Sequence, residues 1–144
     1  LKSIDVSKYD WSLVHDAARP CVSIDDLSKL ISECTQKKCG GLLASPVRDT
    51  MKRSAQNQCV ELTESRDNLW HALTPQMYPT SLLISAIEQA IKNEAEITDE
   101  SSAMELANIP SQLVEGSNHN LKITHPSDLV LAEFILNAQS PNNN

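Results

Sequence analysis

Only three glycines, at positions 40, 41 and 116, occur in the 144 residues. Loops of the G-x-G-x-x-G or Walker type bring successive backbone N–H groups against a triphosphate, and these residues alone cannot build one. Aromatic residues make up 3% of the chain. That leaves few platforms for stacking bases and predicts a core of Leu, Ile, Val and Ala. Positive charge is sparse in the second half: past Arg66 only Lys92 and Lys122 remain, and the net charge is -7. Displacing counterions from a duplex takes a broad basic surface, so nucleic acid is excluded as a partner. A few cations at one point still suffice for a small phosphorylated ligand. No apolar run approaches the ~20 residues of a membrane span, so no membrane partner is expected, and no signal-peptide pattern opens the chain. Cys21, Cys34, Cys39 and Cys59 form no C-x-x-C pair and have no histidine at zinc-knuckle spacing. They read as reduced, mostly buried thiols of a cytoplasmic protein. The chain opens on Leu1 rather than Met, which leaves a preceding portion open and, with it, a plastid-targeting segment.

What is present suits one α/β domain over residues 1–144, with 40% hydrophobic and 22% charged residues. Trp11–His15 is a short apolar run ending at Asp16, which predicts a buried strand with a carboxylate at its C-terminal end. Ser23-Ile-Asp-Asp26 reads as a helix start, followed by Leu27, Leu30, Ile31 and Cys34 at i, i+3, i+4, i+7 spacing, with Gly40-Gly41 as terminator. Leu42–Ser45 is a second buried strand. Strand, helix and strand with short connections predict a parallel sheet. Residues of about 47–78 are polar, with strand-like stretches at Asp49–Arg53 and Cys59–Thr63 around a turn at Ser54–Gln58, and read as a projecting arm. Helices are expected from Thr80 as N-cap, with Leu83, Ile84, Ile87, Ala90 and Ile91 on one face, from Thr98, and from Pro126, with Leu129, Ala132, Glu133 and Leu136. Gln112–Glu115 and Asn120–Thr124 read as strands, and residues 140–144 as a frayed polar tail.

In open α/β sheets ligands sit at the carboxyl ends of strands, which singles out Asp16 and the loop after it. A carboxylate there, with Arg19 three residues on, suits a divalent cation on one side and an anionic substrate oxygen on the other. The plainer alternative is a turn-capping aspartate paired with a surface arginine.

Several strings carry a resemblance in chain order. They are Val14-His-Asp-Ala-Ala-Arg-Pro20, Pro46-Val-Arg-Asp-Thr-Met-Lys52, Leu69-Trp-His-Ala-Leu-Thr-Pro-Gln76, Ile97-Thr-Asp-Glu100 with Ser102, Ala103 and Glu105, and Asn120-Leu-Lys-Ile-Thr124 with Pro126 and Asp128. Together they resemble the C-terminal part of the 2-C-methyl-D-erythritol 4-phosphate cytidylyltransferases of the non-mevalonate isoprenoid pathway. The glycine-rich CTP loop of that family lies outside these strings. The resemblance implies part of a Rossmann-like nucleotidyltransferase sheet with a β-arm that joins a homodimer. It implies attack of the sugar phosphate on the α-phosphorus of CTP, with release of pyrophosphate and use of Mg2+. By the same resemblance, Asp16 serves the metal and the substrate hydroxyls, and Ala17 contacts the nucleotide. Arg19 and Thr50 contact the substrate, Lys122 positions the attacking phosphate, and Arg66 reaches it from the partner subunit's arm. Thr74 is a substrate contact on that arm, and Asp16, Lys122 and Arg66 carry the catalysis. His15, Trp70 and His71 read as structural, and Arg48, Lys52 and Arg53 as a solvated face. A cytidylyltransferase for another polyol phosphate, such as ribitol phosphate, and a non-catalytic dimerisation module are the alternatives.

Overall fold

The structure, a computed structural model, describes residues 3–140, so the expectation for the tail falls almost wholly outside the described residues. In chain order the elements are β1 (Trp11–Val14), α1 (Ile24–Lys37), β2 (Gly41–Pro46), β3 (Met51–Ser54), β4 (Val60–Glu64), β5 (Trp70–Pro79), α2 (Thr80–Lys92), α3 (Glu100–Leu106), β6 (Gln112–Glu115) and α4 (Pro126–Gln139).

Four strands form one sheet in the order β1-β5-β2-β6. β2 and β6 pair in parallel, whereas β5 runs antiparallel to both β1 and β2. The expected parallel relation of β1 and β2 therefore holds in direction but not in adjacency. The reason lies in β5, which buries Leu73, Gln76, Met77 and Tyr78 and takes the central place. Much of the segment read as arm is thus main sheet. The arm itself is the β3–β4 ribbon, closed by a turn at residues 55–59, whose strands carry no buried side chain. Trp70 and His71 open β5 opposite Pro46 and Ser45 and do not belong to the arm.

The β2–β5 register breaks where Leu73–Pro75 stands against the single residue Leu43. Such a bulge re-aims side chains, and here it turns Thr74 toward the loop after β1. Gly40 and Gly41 do not end α1, because the helix stops at Lys37 with Lys38 in the left-handed region at φ 50°. They serve close packing instead. A Cβ on Gly40 would stand 2.1 Å from Cδ1 of Tyr78, and one on Gly41 would stand 2.6 Å from the Gln112 main-chain oxygen.

The N-cap of α1 is Ser23, whose hydroxyl accepts the Asp26 N–H. Leu30 and Cys34 face the core with Leu43, Leu73, Met77 and Val114, while Ile31 is largely exposed. Thr80 does not cap α2. Its hydroxyl pairs with that of Ser12 in the interior, 2.9 Å away, and the buried face runs through Leu83, Ala86 and Ala90, leaving Ile91 outside. α3 is capped by Asp99 in a reciprocal box with Ser102. α4 buries Ala132 and Ile135 against Cys21, Leu121 and Ile123, and leaves Leu129 and Leu136 exposed. Asn120–Thr124 is not a strand. Its backbone groups are taken elsewhere: the Asn120 oxygen by Arg19, the Ile123 N–H by Ala18 and the Thr124 N–H by Asp128.

Candidate active site

Three segments converge at the C-terminal end of β1: the turn 15–20, the bulge of β5 and the loop 116–125. They border a cavity of about 350 Å³ whose walls include Asp16, Arg19, Thr74, Gln76, Asp99 and Lys122. The turn is closed by a hydrogen bond from the Arg19 N–H to the Asp16 oxygen. This aims the Asp16 carboxylate outward and folds Arg19 back beneath it.

Lys122 donates from Nζ to Oδ2 of Asp16 at 2.7 Å, and Nε of Arg19 lies 3.9 Å from the same oxygen. The hydrogen bond from Lys122 holds the Asp16 carboxyl below the ordinary carboxylate range, with smaller help from the nearby positive charges. The Arg19 side chain is only 11% exposed, donates from Nη1 to the Asn120 main-chain oxygen at 2.8 Å, and keeps Nε without a hydrogen-bond partner. A buried guanidinium with an unused donor is suited to an anionic oxygen that completes its fork.

Thr74 accepts the Asp16 N–H at 3.0 Å through its hydroxyl. It therefore sits on the sheet beside Asp16 and not on the arm. Its carbonyl accepts from Nδ2 of Asn120 at 2.7 Å. Asn120, 1% exposed, thus ties Thr74, Arg19 and the loop of Lys122 into one unit. Ala17 lies exposed in the turn next to Asp16.

Thr50 and Arg66 are not brought to this cavity. Arg66 donates from Nη1 to the Arg48 main-chain oxygen at the base of the arm, and Thr50 lies exposed just before β3. Of the expected residues, the structure joins Asp16, Arg19, Thr74 and Lys122 at the cavity, leaves Ala17 exposed beside it, and places the other two at the base of the arm.

Gln76 and Asp99 were not foreseen at the cavity. Gln76, 1% exposed, accepts the Ser101 N–H at 2.8 Å and donates to Oδ2 of Asp99 at 2.9 Å, which fastens the start of α3 to the sheet. Burial pushes the Asp99 carboxyl up, but hydrogen bonds from Gln76, Ser102 and Ser101 outweigh it and leave the carboxyl below its ordinary range. A glutamine inside an apolar strand was the available signal. Asn120 gave none beyond its place two residues before Lys122.

Among the described residues no group of three His, Cys, Asp or Glu side chains gathers around one point. Magnesium seldom needs such a cage, because one or two carboxylates and substrate phosphates hold it. Asp16 fits that role: Lys122 occupies Oδ2, and Oδ1 accepts no hydrogen bond from the described residues.

A family model described as 2-C-methyl-D-erythritol 4-phosphate cytidylyltransferase matches residues 1–138. A curated relative of that description from Colwellia psychrerythraea is 58% identical over 152 residues, covering 100% of the chain and 63% of the relative. Another, from Aliivibrio fischeri, is 55% identical over 127 residues, covering 88% of the chain and 53% of the relative. The solved structure of the Francisella tularensis 2-C-methyl-D-erythritol 4-phosphate cytidylyltransferase superposes with a TM-score of 0.85 at 40% identity, over 93% of the chain and 63% of that protein. The corresponding Thermus thermophilus structure gives 0.82 at 30% identity, over 92% of the chain and 65% of that protein. The chain spans less than two thirds of the length of these relatives.

Proposed function

The chain belongs to the 2-C-methyl-D-erythritol 4-phosphate cytidylyltransferase family, and on that premise we propose that it forms the sugar-phosphate side of an enzyme that moves a cytidylyl group from CTP to 2-C-methyl-D-erythritol 4-phosphate and releases pyrophosphate. The observation that carries the reading is the Asp16–Lys122 pair at 2.7 Å, set over the unused Arg19 donor at the cavity.

A phosphate oxygen of the acceptor attacks the α-phosphorus, and the bond to the pyrophosphate oxygen breaks. Such a displacement needs in-line positioning and charge neutralisation more than covalent help. Lys122 and Arg19 are the donors suited to the acceptor phosphate, and Asp16 accepts from polyol hydroxyls. Asp16 would also supply one oxygen to a magnesium ion, which when bound neutralises charge on the triphosphate.

The arm belongs to the same reading. Val60 and Leu62 are 64% and 42% exposed on a ribbon without a core of its own, which supports exchange of arms between two copies. Arg66 and Thr50 would then serve the partner's cavity. A bacterial cytoplasmic location fits the free cysteines and the bacterial relatives. Another polyol phosphate is not favoured, since these relatives bear the methylerythritol phosphate name.

Tested as these 144 residues alone, no CTP turnover is expected. Gly40 and Gly41 are committed to strand packing and Gly116 to Leu43, so the described residues offer no glycine-rich phosphate cradle. Within a polypeptide of the relatives' full length, pyrophosphate release should require both CTP and methylerythritol phosphate. Asp16→Ala and Arg66→Ala should each cripple it, and mixing the two variants should restore activity through heterodimers. Absence of recovery, with heterodimers demonstrated, would refute the action of Arg66 in the partner's site.

A further inference from the structure

His15 borders the cavity without a role in the reading above. Its ring is held at both nitrogens: Nε2 lies 2.9 Å from the Arg19 main-chain oxygen, and Nδ1 lies 3.0 Å from Oγ1 of Thr74. A carbonyl oxygen only accepts, so Nε2 carries the proton, and in the neutral ring Nδ1 is then an acceptor. In that neutral tautomer the Thr74 hydroxyl gives its proton to Nδ1. The same oxygen already accepts the Asp16 N–H at 3.0 Å. A hydroxyl has one proton and two lone pairs, so Thr74 has a single lone pair left for the cavity that it lines.

We propose that His15 is a positioning residue: by holding the proton of Thr74 it makes that hydroxyl a pure acceptor toward the cavity, so that this wall takes a hydroxyl of the polyol and rejects a phosphate oxygen. The inference rests on the reading of the site as one for a polyol phosphate, and it orients the ligand there. Lys122 and Arg19 can only donate, so they form a phosphate pole. Thr74 and the free oxygen of Asp16 form a hydroxyl pole. A polyol phosphate lies between them in one direction only, because the reverse sets phosphate oxygens against acceptors.

Two substitutions separate the two ends of the ring. His15→Asn retains an acceptor where Nδ1 stands, whereas His15→Gln reaches the Nε2 end and braces the Arg19 carbonyl. Binding of 2-C-methyl-D-erythritol 4-phosphate and of inorganic phosphate to the 144-residue chain is measured by calorimetry. For His15→Gln the polyol phosphate should weaken about tenfold while inorganic phosphate stays within about twofold, and His15→Asn should retain most of the polyol affinity. Equal effects of the two substitutions, or a parallel loss of both ligands, would reduce His15 to a brace of the turn and overturn the proposal.

Nitrogen NMR of the ring at about pH 8, above the usual range of histidine titration, needs no ligand. It should show Nε2 protonated and Nδ1 as a hydrogen-bonded acceptor whose shift moves to that of a free acceptor in Thr74→Val. A protonated Nδ1, or no response to Thr74→Val, overturns the assignment even where the ligand binds. Failure of the unaltered chain to bind the polyol phosphate overturns the ligand half together with the reading beneath it, and the ring spectrum still judges the His15–Thr74 contact separately.

Discussion

Replacing Gln76 by Leu tests whether one buried amide fastens the cavity wall to the sheet. Leucine fills nearly the same space, so the change removes hydrogen bonds without opening a cavity. The Ser101 N–H, in a residue 6% exposed, loses its acceptor, which costs ~1–3 kcal/mol for a buried orphan. Asp99 loses a donor at 2.9 Å, and bonds to charged groups contribute ~1.5–3 kcal/mol. Extra apolar burial of the leucine offsets ~1–2 kcal/mol. The net expectation is a loss of roughly 2–4 kcal/mol, or about 5–15 °C in Tm for a chain of this size, read by urea and thermal unfolding at pH 7.

The pH dependence isolates the share of Asp99. Its carboxyl is depressed in the folded protein. The stability this supplies is therefore complete above the unfolded value near ~3.9 and is lost as pH falls through the lower folded value. The gap between the parent and Gln76→Leu should narrow below about pH 4. A loss under ~1 kcal/mol at pH 7 would refute the fastening argument, and a gap that stays constant into acid would refute the contribution assigned to Asp99.

Lys122→Met should change stability by less than ~1 kcal/mol, because the ion pair is exposed at 47% and 32%. In the full-length enzyme it should lower turnover of the sugar phosphate by about one to two decades, and a large fall in unfolding free energy would contradict this division. Gly40→Ala should destabilise by ~2 kcal/mol or more, since the added Cβ meets the ring of the fully buried Tyr78; an unchanged denaturation midpoint would refute it. An aromatic disulfide reagent should modify the exposed Cys59 first. Cys34, whose thiol burial pushes up to about 11, and Cys21 should react only on unfolding; labelling of Cys34 in the folded protein at the Cys59 rate would contradict the packing.

Local signals carried the helices. The Ser23 cap of α1 and the Asp99 region of α3 were legible because a cap is settled by three or four neighbouring residues. The face of α2 was legible from spacing except at Ile91, because Ser81, Ser85, Glu88 and Lys92 mark the opposite side. The face of α4 was less legible, since that helix carries apolar residues nearly all round and spacing alone did not say which of them would be covered. The arm is shorter than its polar stretch suggests, because residues 70–79 become main sheet only through pairing with β1 and β2, both far away in sequence. Asn120–Thr124 has the alternation of a strand, but a strand needs a neighbour, and there the Arg19 guanidinium and the carboxylate of Asp128 take the backbone instead.

These misreadings share a cause that also explains why the site lies where it does. Strand direction from chain order placed the ligand beyond β1, and Asp16 is there. What chain order does not contain is the antiparallel β5 between β1 and β2. A purely parallel arrangement would bring only loops to that end of the sheet. β5 instead brings the side of a strand, bulged at Leu73–Pro75, so that Thr74 meets the Asp16 N–H from the sheet itself and its carbonyl receives Asn120. The Asp16 turn and the Lys122 loop are both clamped to that bulge. The 2.7 Å pair between them is therefore positioned by the main-chain register of β5 as well as by the two loops.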